Sequence, residues 1–243
     1  MGKSGRGDGR RGTLGNTLSG AAVALGCVLF LGAFLWGALL YQPYSVPTDS
    51  MNPTVKAGDR VLAERIDGKD VRRGDVVVFQ DDLWGTVPMV KRVIGVGGDK
   101  IACCGDGGRV TVNGDPLDEP YLKDKGPDSQ TSFPQTTVPD GKLFLLGDNR
   151  IDSLDSRVHL EEGDSGAVPR TAVQARVDAV AWPSADLGML APPTGFEQLP
   201  GGTSQPGPLR LLVTAVVAGA VLILGGAAYG PLTRRRTADT GRR

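Results

Sequence analysis

Pro88-Met89-Val90-Lys91-Arg92-Val93-Ile94-Gly95 carries two adjacent charges through an apolar run. Its length and β-branched content predict a strand. Side chains alternate between the faces of a strand, so Met89, Lys91 and Val93 share one face and Val90, Arg92 and Ile94 the other. Lys91 then stands in an apolar row. Burial disfavours the ammonium form and brings a lysine pKa down toward neutrality, where the amine can accept a proton. Arg92 cannot do this, because a guanidinium stays protonated; it fits an ion pair instead. On spacing alone, a strand lysine that lays its stem on apolar surface and keeps its head in water is the favoured reading of Lys91.

The surrounding sequence repeats the strand pattern. Short apolar runs fall at 60–63 after a Gly58-Asp59 turn, at 75–79 after Arg73-Gly74, at 87–96, at 100–102, at 109–112 before Asn113-Gly114, at 142–146 and at 173–182. Asn-Gly after an alternating run is a hairpin signal. The 36 glycines and 17 prolines favour turns over long soluble helices. The expectation is a mainly β, antiparallel domain over 42–190, with 115–139, rich in Pro, Asp, Ser and Thr, as a long surface excursion.

Two uncharged runs flank this domain. The first, 18–41, has 24 residues, enough to cross a bilayer. It is longer than the apolar region of a cleavable signal, and Leu40-Tyr41-Gln42-Pro43 offers no small-x-small site. A lipoprotein signal ending at Cys27 would leave many apolar residues beyond the cysteine. A retained transmembrane helix is therefore expected, with Trp36, Tyr41 and Tyr44 near its outer end. The second run, 211–232, lies between Arg210 and Arg234 and follows a Pro/Gly-rich linker, 191–210. Its glycines and alanines suit a membrane helix. The tails, 1–17 and 233–243, are basic, the first expected to be disordered. Residues 42–208 hold 17 Lys and Arg against 25 Asp and Glu. The positive-inside rule then places both tails in the cytoplasm and the acidic domain outside. That acidic balance excludes a nucleic-acid surface.

Few residues carry chemistry. His159 is the single histidine, in a polar segment that reads as surface, and the cysteines are Cys27 and the adjacent pair Cys103-Cys104. No metal site built from Cys and His is expected. The adjacent pair is open to three states: a vicinal disulfide, two thiols, or bonds to another chain. Just beyond the first apolar run lies Pro47-Thr48-Asp49-Ser50-Met51-Asn52-Pro53-Thr54, a serine turn bracketed by prolines that restrict its backbone. A serine hydroxyl needs a base within hydrogen-bond reach to become a nucleophile; Lys91 and His159 are the two candidates. A third cluster, Leu146-Gly147-Asp148-Asn149-Arg150-Ile151-Asp152-Ser153-Leu154-Asp155-Ser156-Arg157, reads either as an Asx-rich turn with surface ion pairs or as a hydrogen-bonded network supporting a site.

Taken in order behind an apolar helix, P-T-D-S-M-N-P-T, V-K-R-V-I-G-V-G-G-D and G-D-N-R-I-D-S-L-D-S-R resemble the type I bacterial signal peptidases, peptidase S26 type. The second apolar run makes the chain similar to the actinobacterial form with an additional C-terminal transmembrane segment. The resemblance covers about 40–190 and includes Arg73-Gly74-Asp75-Val76-Val77 and Ala181-Trp182-Pro183. It implies a β-fold serine–lysine protease of the cell membrane that removes signal peptides from secreted preproteins, near the export machinery. It implies Ser50 as nucleophile, Lys91 as general base, and Thr48 with the Ser50 backbone as oxyanion hole. It further implies that Ser153 positions the lysine amine, that Asp155 and Arg157 form a structural pair, and that Met51 lies beside the substrate. A preference for small residues at the first and third positions before the cut also follows from it, and no cofactor does. Ile151 and Asp152 depart from the family's usual Asp-Asn, and Gly97-Gly98 from a common Pro-Gly. A binding module without catalysis and a dedicated processor of a narrow substrate are the competing functions.

Overall fold

The computed structural model describes residues 8–126, 130–183 and 185–240, with side chains from 15 to 229 among them. The chain forms two compact units. One holds the helices α1 (Asp8–Leu40) and α2 (Leu209–Thr240); the other, Tyr41–Gly207, is β-rich.

Within the helical unit, Gly15–Leu40 and Leu209–Tyr229 are each long and apolar enough to cross a membrane. They pack on each other where side chains are small. A Cβ added at Gly26 would come within 2.8 Å of the Gly219 carbonyl oxygen, so glycine at both positions allows the backbones to meet. Ser19 Oγ donates to the Gly226 carbonyl at 2.6 Å and adds a polar link between the helices. Of the tail 1–17, expected to be disordered, residues 8–17 belong to α1 instead, and 1–7 lie outside the described residues.

The β-rich unit contains two antiparallel sheets. The larger runs in the order β1 (Tyr41–Ser45), β2 (Arg60–Glu64), β11 (Val173–Trp182), β3 (Val76–Phe79), β4 (Met89–Val96), β9 (Lys142–Leu146) and β10 (Val168–Pro169), with β12 (Gly188–Met189) paired to β11. The smaller has the order β7 (Asp115–Pro116), β6 (Thr111–Val112), β5 (Lys100–Cys103) and β8 (Phe133–Thr137). The fold is mainly β, as its strand-length apolar runs require.

Three segments differ from expectation. Tyr41 opens a strand instead of closing the helix. Pro43 cannot continue a helix, and it is accommodated because β1 pairs only with β2. The excursion 115–139 contributes β8, whose Thr137 and Thr136 lie opposite Lys100 and Ile101; Phe133 is its single large apolar residue, too little to show a period. Residues 191–207 form a strap on the domain instead of a free linker. Phe196 is fully buried in a cluster with Ile94, Ile101, Phe144 and Leu146. Ser204 Oγ donates to Asp75 at 2.7 Å, and Arg73 donates to the Pro200 carbonyl.

Strand β4 is buried on both faces, flanked by β3 and β9. Val93 on the Lys91 face packs with Val77, Phe79, Leu143 and Leu145. Val90, on the other face, packs with Met51, Val76 and Val78. The adjacent cysteines are joined by a Cys103–Cys104 disulfide, Cys103 buried and Cys104 exposed.

Several buried charges in this unit are paired. Arg73 and Asp99, both under 9% exposed, form a two-pronged bridge with contacts of 2.7 and 2.6 Å. Asp99 also accepts from Val96 N and Asn113 Nδ2. Burial raises its carboxyl pKa, but these hydrogen bonds and the Arg73 charge outweigh burial and hold it below the ordinary value. Stability from this pair is therefore present above the ordinary aspartate range and is lost as pH falls through and below it. Asp99→Ala strands a buried guanidinium and should cost about 3–5 kcal/mol, read by urea denaturation of the full chain in detergent; a loss below about 1 kcal/mol would show that the pair behaves as a surface bridge.

Candidate active site

The turn after β1 carries Ser50 on a single 3-10 turn, Asp49–Met51. Below it Met51 is fully enclosed among Val46, Val55 and Val90. That burial fixes the height of the turn. Ser50 and Lys91 are brought together across 41 residues: Lys91 Nζ donates to Ser50 Oγ at 2.7 Å. Ser50 is 7% and Lys91 4% exposed. Thr48 Oγ1 lies 3.3 Å from Ser50 Oγ. The snorkelling alternative for Lys91 fails, because its amine ends on a buried hydroxyl.

Burial is the main influence on the amine and drives its pKa down; Asp155 pushes it back up, Arg157 down, and Asp148 and Asp152 up. The balance is a lysine lowered from 10.5 to about 8. A substantial neutral fraction therefore exists near physiological pH, which an exposed lysine lacks.

The loop after β9 grips this turn. Gly147 N donates to Asp155 Oδ2, and Asn149 N donates to the Ser50 carbonyl at 3.0 Å. Asn149 Nδ2 reaches the Asp49 carbonyl at 3.1 Å. Gly147 is required here by space: an added Cβ would lie 2.5 Å from the Ser50 carbonyl oxygen and 2.2 Å from Ser153 Oγ. Asp155 and Arg157 form the expected pair, with Arg157 Nε 2.8 Å from Asp155 Oδ1. Arg157 also donates to the Arg150 carbonyl. Ser153 Oγ is buried and makes no hydrogen bond among the described residues; the structure seats it at this site without joining it to Lys91.

Arg92 does form an ion pair. Its Nε and Nη2 donate to the two oxygens of Asp148 at 2.8 and 2.7 Å, and Nη1 donates to the Gly74 carbonyl. Thr54 Oγ1 donates to the same Asp148. Arg150 pairs with Glu119, which also accepts a hydrogen bond from the Tyr121 hydroxyl. Thr54, Glu119 and Tyr121 escaped the sequence reading. Thr54 and Glu119 are common surface types in turn-rich context, and no periodicity marks Tyr121.

His159 is not at the serine. Its ring stacks on Trp84 with centroids 4.8 Å apart, and Nδ1 lies 2.8 Å from Glu162. No cluster of three or more metal-ligating side chains occurs among the described residues. A cavity of about 300 Å³ is lined by Pro53, Thr54, Tyr121, Met189, Leu190 and Asp186, among others. Neither Ser50 nor Lys91 lines it, so it is separate from the serine–lysine contact.

Residues 18–182 match the family described as signal peptidase, peptidase S26. The chain is 32% identical over 225 residues to a probable signal peptidase I of Mycobacterium leprae, covering 69% of this chain and 76% of that protein. It is 34% identical over 183 residues to a signal peptidase I of Leptolyngbya laminosa, covering 72% and 83%. A signal peptidase IB of Staphylococcus aureus is 35% identical over 181 residues, covering 66% and 87%. The matched stretch runs from the start of the first apolar segment to the last residue of β11, and so takes in the serine turn, the lysine strand and the loop that grips them: the chain belongs to the signal peptidase family, peptidase S26, and is a serine-peptidase hydrolase.

Proposed function

We propose that this protein is a membrane-bound endopeptidase that removes N-terminal signal peptides from exported preproteins through a Ser50–Lys91 dyad. The observation that carries this reading is the 2.7 Å contact between a buried serine hydroxyl and a buried, partly neutral lysine amine.

With the amine neutral, the polarity of that contact reverses, and the Ser50 hydroxyl donates to the Lys91 lone pair. Ser50 Oγ attacks the scissile carbonyl carbon while its proton passes to Lys91. The oxyanion that forms is met by the Thr48 hydroxyl and the Ser50 backbone N–H. On collapse the C–N bond breaks and the Lys91 ammonium returns the proton to the leaving amine, the new N-terminus of the mature protein. The signal peptide stays on Ser50 as an ester. Neutral Lys91 then takes a proton from water, whose oxygen attacks the ester, and Ser50 recovers its proton as the signal peptide leaves. Ser153 supports this reading, because its unpartnered buried hydroxyl supplies an acceptor for the amine once Ser50 is acylated. Small residues at the first and third positions before the cut are the proposed preference. No step needs a metal or cofactor.

The two apolar helices cross the plasma membrane in this proposal, with both basic tails cytoplasmic and the β domain on the outer face, where precursors emerge from the export machinery. A reporter fused after Arg243 should be active only as a cytoplasmic type; an extracytoplasmic signal would defeat the two-span arrangement.

Ser50→Ala should lower cleavage of a fluorogenic small-x-small peptide by at least about 10³-fold with folding intact, and His159→Ala should leave it near wild type. The reverse pattern would sink the dyad. Cleavage should rise with pH and reach half its plateau near 8, as Lys91 deprotonates. Because the folded amine has a lower pKa than the unfolded one, Lys91 destabilises the fold at neutral pH, and that penalty fades as pH rises from about 8 through 10.5. Lys91→Met should therefore abolish cleavage yet raise stability at pH 7 by about 3 kcal/mol; a destabilised Met variant would mean that the amine's contacts outweigh its burial.

A further inference from the structure

Behind the serine–lysine contact lies an aromatic stack outside the proton-transfer steps. The Arg92 guanidinium carbon is 3.9 Å from the centre of the Tyr121 ring. That ring stacks in turn on Phe196, with centroids 6.2 Å apart and planes 11° from parallel. Phe196 is fully buried. Tyr121 comes from the 115–139 excursion and Phe196 from the 191–207 strap, two segments that hold none of the catalytic side chains.

The edge of the Arg92 guanidinium is occupied by Asp148, Gly74 and Thr54. Its flat faces cannot hydrogen-bond. In a water-excluded site a π face is the group that attracts such a cation, and an aliphatic side chain of similar size supplies volume without that attraction. What Arg92 holds matters for the reaction. Asp148 holds Thr54, and its neighbour Asn149 holds the carbonyls of Asp49 and Ser50. The turn 49–54 is thus tied down at three points from 148–149, and Arg92 sets the position of 148 from the strand that carries Lys91.

We propose that Tyr121 and Phe196 are positioning residues for hydrolysis. The Tyr121 ring, backed by Phe196, seats the Arg92 guanidinium so that Asp148 and Asn149 hold Ser50 in line with Lys91. This role rests on the serine–lysine reading above. Tyr121 acts through its ring; its hydroxyl is committed to Glu119 at 2.8 Å and is kept protonated by burial.

A misplacement of about 1 Å in a reacting group costs on the order of 10²-fold in rate. The full chain in detergent, cleaving the fluorogenic small-x-small peptide, should therefore show a kcat about 10–100-fold lower for Tyr121→Leu, with KM unchanged. Tyr121→Phe keeps the ring over Arg92 and should stay within about 3-fold of wild type. Phe196→Leu, which removes only the backing ring, should lower kcat by roughly 3–10-fold. A packing role alone would leave kcat unchanged in folded Tyr121→Leu. Wild-type kcat in that variant, or a Tyr121→Phe variant as impaired as Tyr121→Leu, overturns the proposal. If Tyr121→Leu does not accumulate as folded protein, Phe196→Leu decides, and wild-type kcat there overturns it. Cleavage by wild type and its loss in Ser50→Ala uphold the dyad whatever Tyr121 does; a wild type that cleaves nothing overturns both.

Discussion

An amine can take a proton only when it lacks one, and at neutral pH a lysine in water almost never does. In the proposed reaction this β domain has to solve that problem for Lys91. Lys91 sits in the middle of a strand with neighbours on both sides and apolar clusters on both faces. The same low dielectric that lowers its pKa would make every unpaired polar group nearby costly. The site is accordingly ringed by charges in pairs: Arg92 with Asp148, Arg150 with Glu119, Arg157 with Asp155. Such pairs need not stabilise the fold relative to apolar replacements. Here they hold polar loops at fixed positions inside a dry region, something apolar packing alone does not specify.

Much of this was legible in the chain. Alternation around Lys91 predicted its apolar row, and the always-charged neighbour was expected to pair. The strands at 60–63, 75–79, 100–102, 142–146 and 173–182 are marked by short apolar runs set between turn residues, and those signals are local. The family resemblance joined Ser50 to Lys91 across 41 residues, a pairing that no local pattern contains. Two residues on different strands meet only because the sheet places them so.

The illegible parts fail for the same reason. Strand β8 is Phe-Pro-Gln-Thr-Thr, with too few apolar positions to show a period; it exists because β5 offers it an edge. Phe196 lies in a stretch of Pro, Gly and Thr that composition reads as a tether, yet its one large ring is drawn into the core. Tyr121 acts through a neighbour 29 positions away.

The order of strands in the larger sheet has a consequence for how the protein comes to be. β11 lies between β2 and β3, although more than a hundred residues separate β2 from it along the chain. Until 173–182 has been made and delivered, β2 and β3 each present an open edge. Contacts of such long sequence separation form slowly and leave strand edges available to other chains in the interval. The serine–lysine contact needs β4 seated in that sheet, so the proposed Ser50–Lys91 dyad stays unassembled through most of the protein's own synthesis and closes only after β11 has arrived.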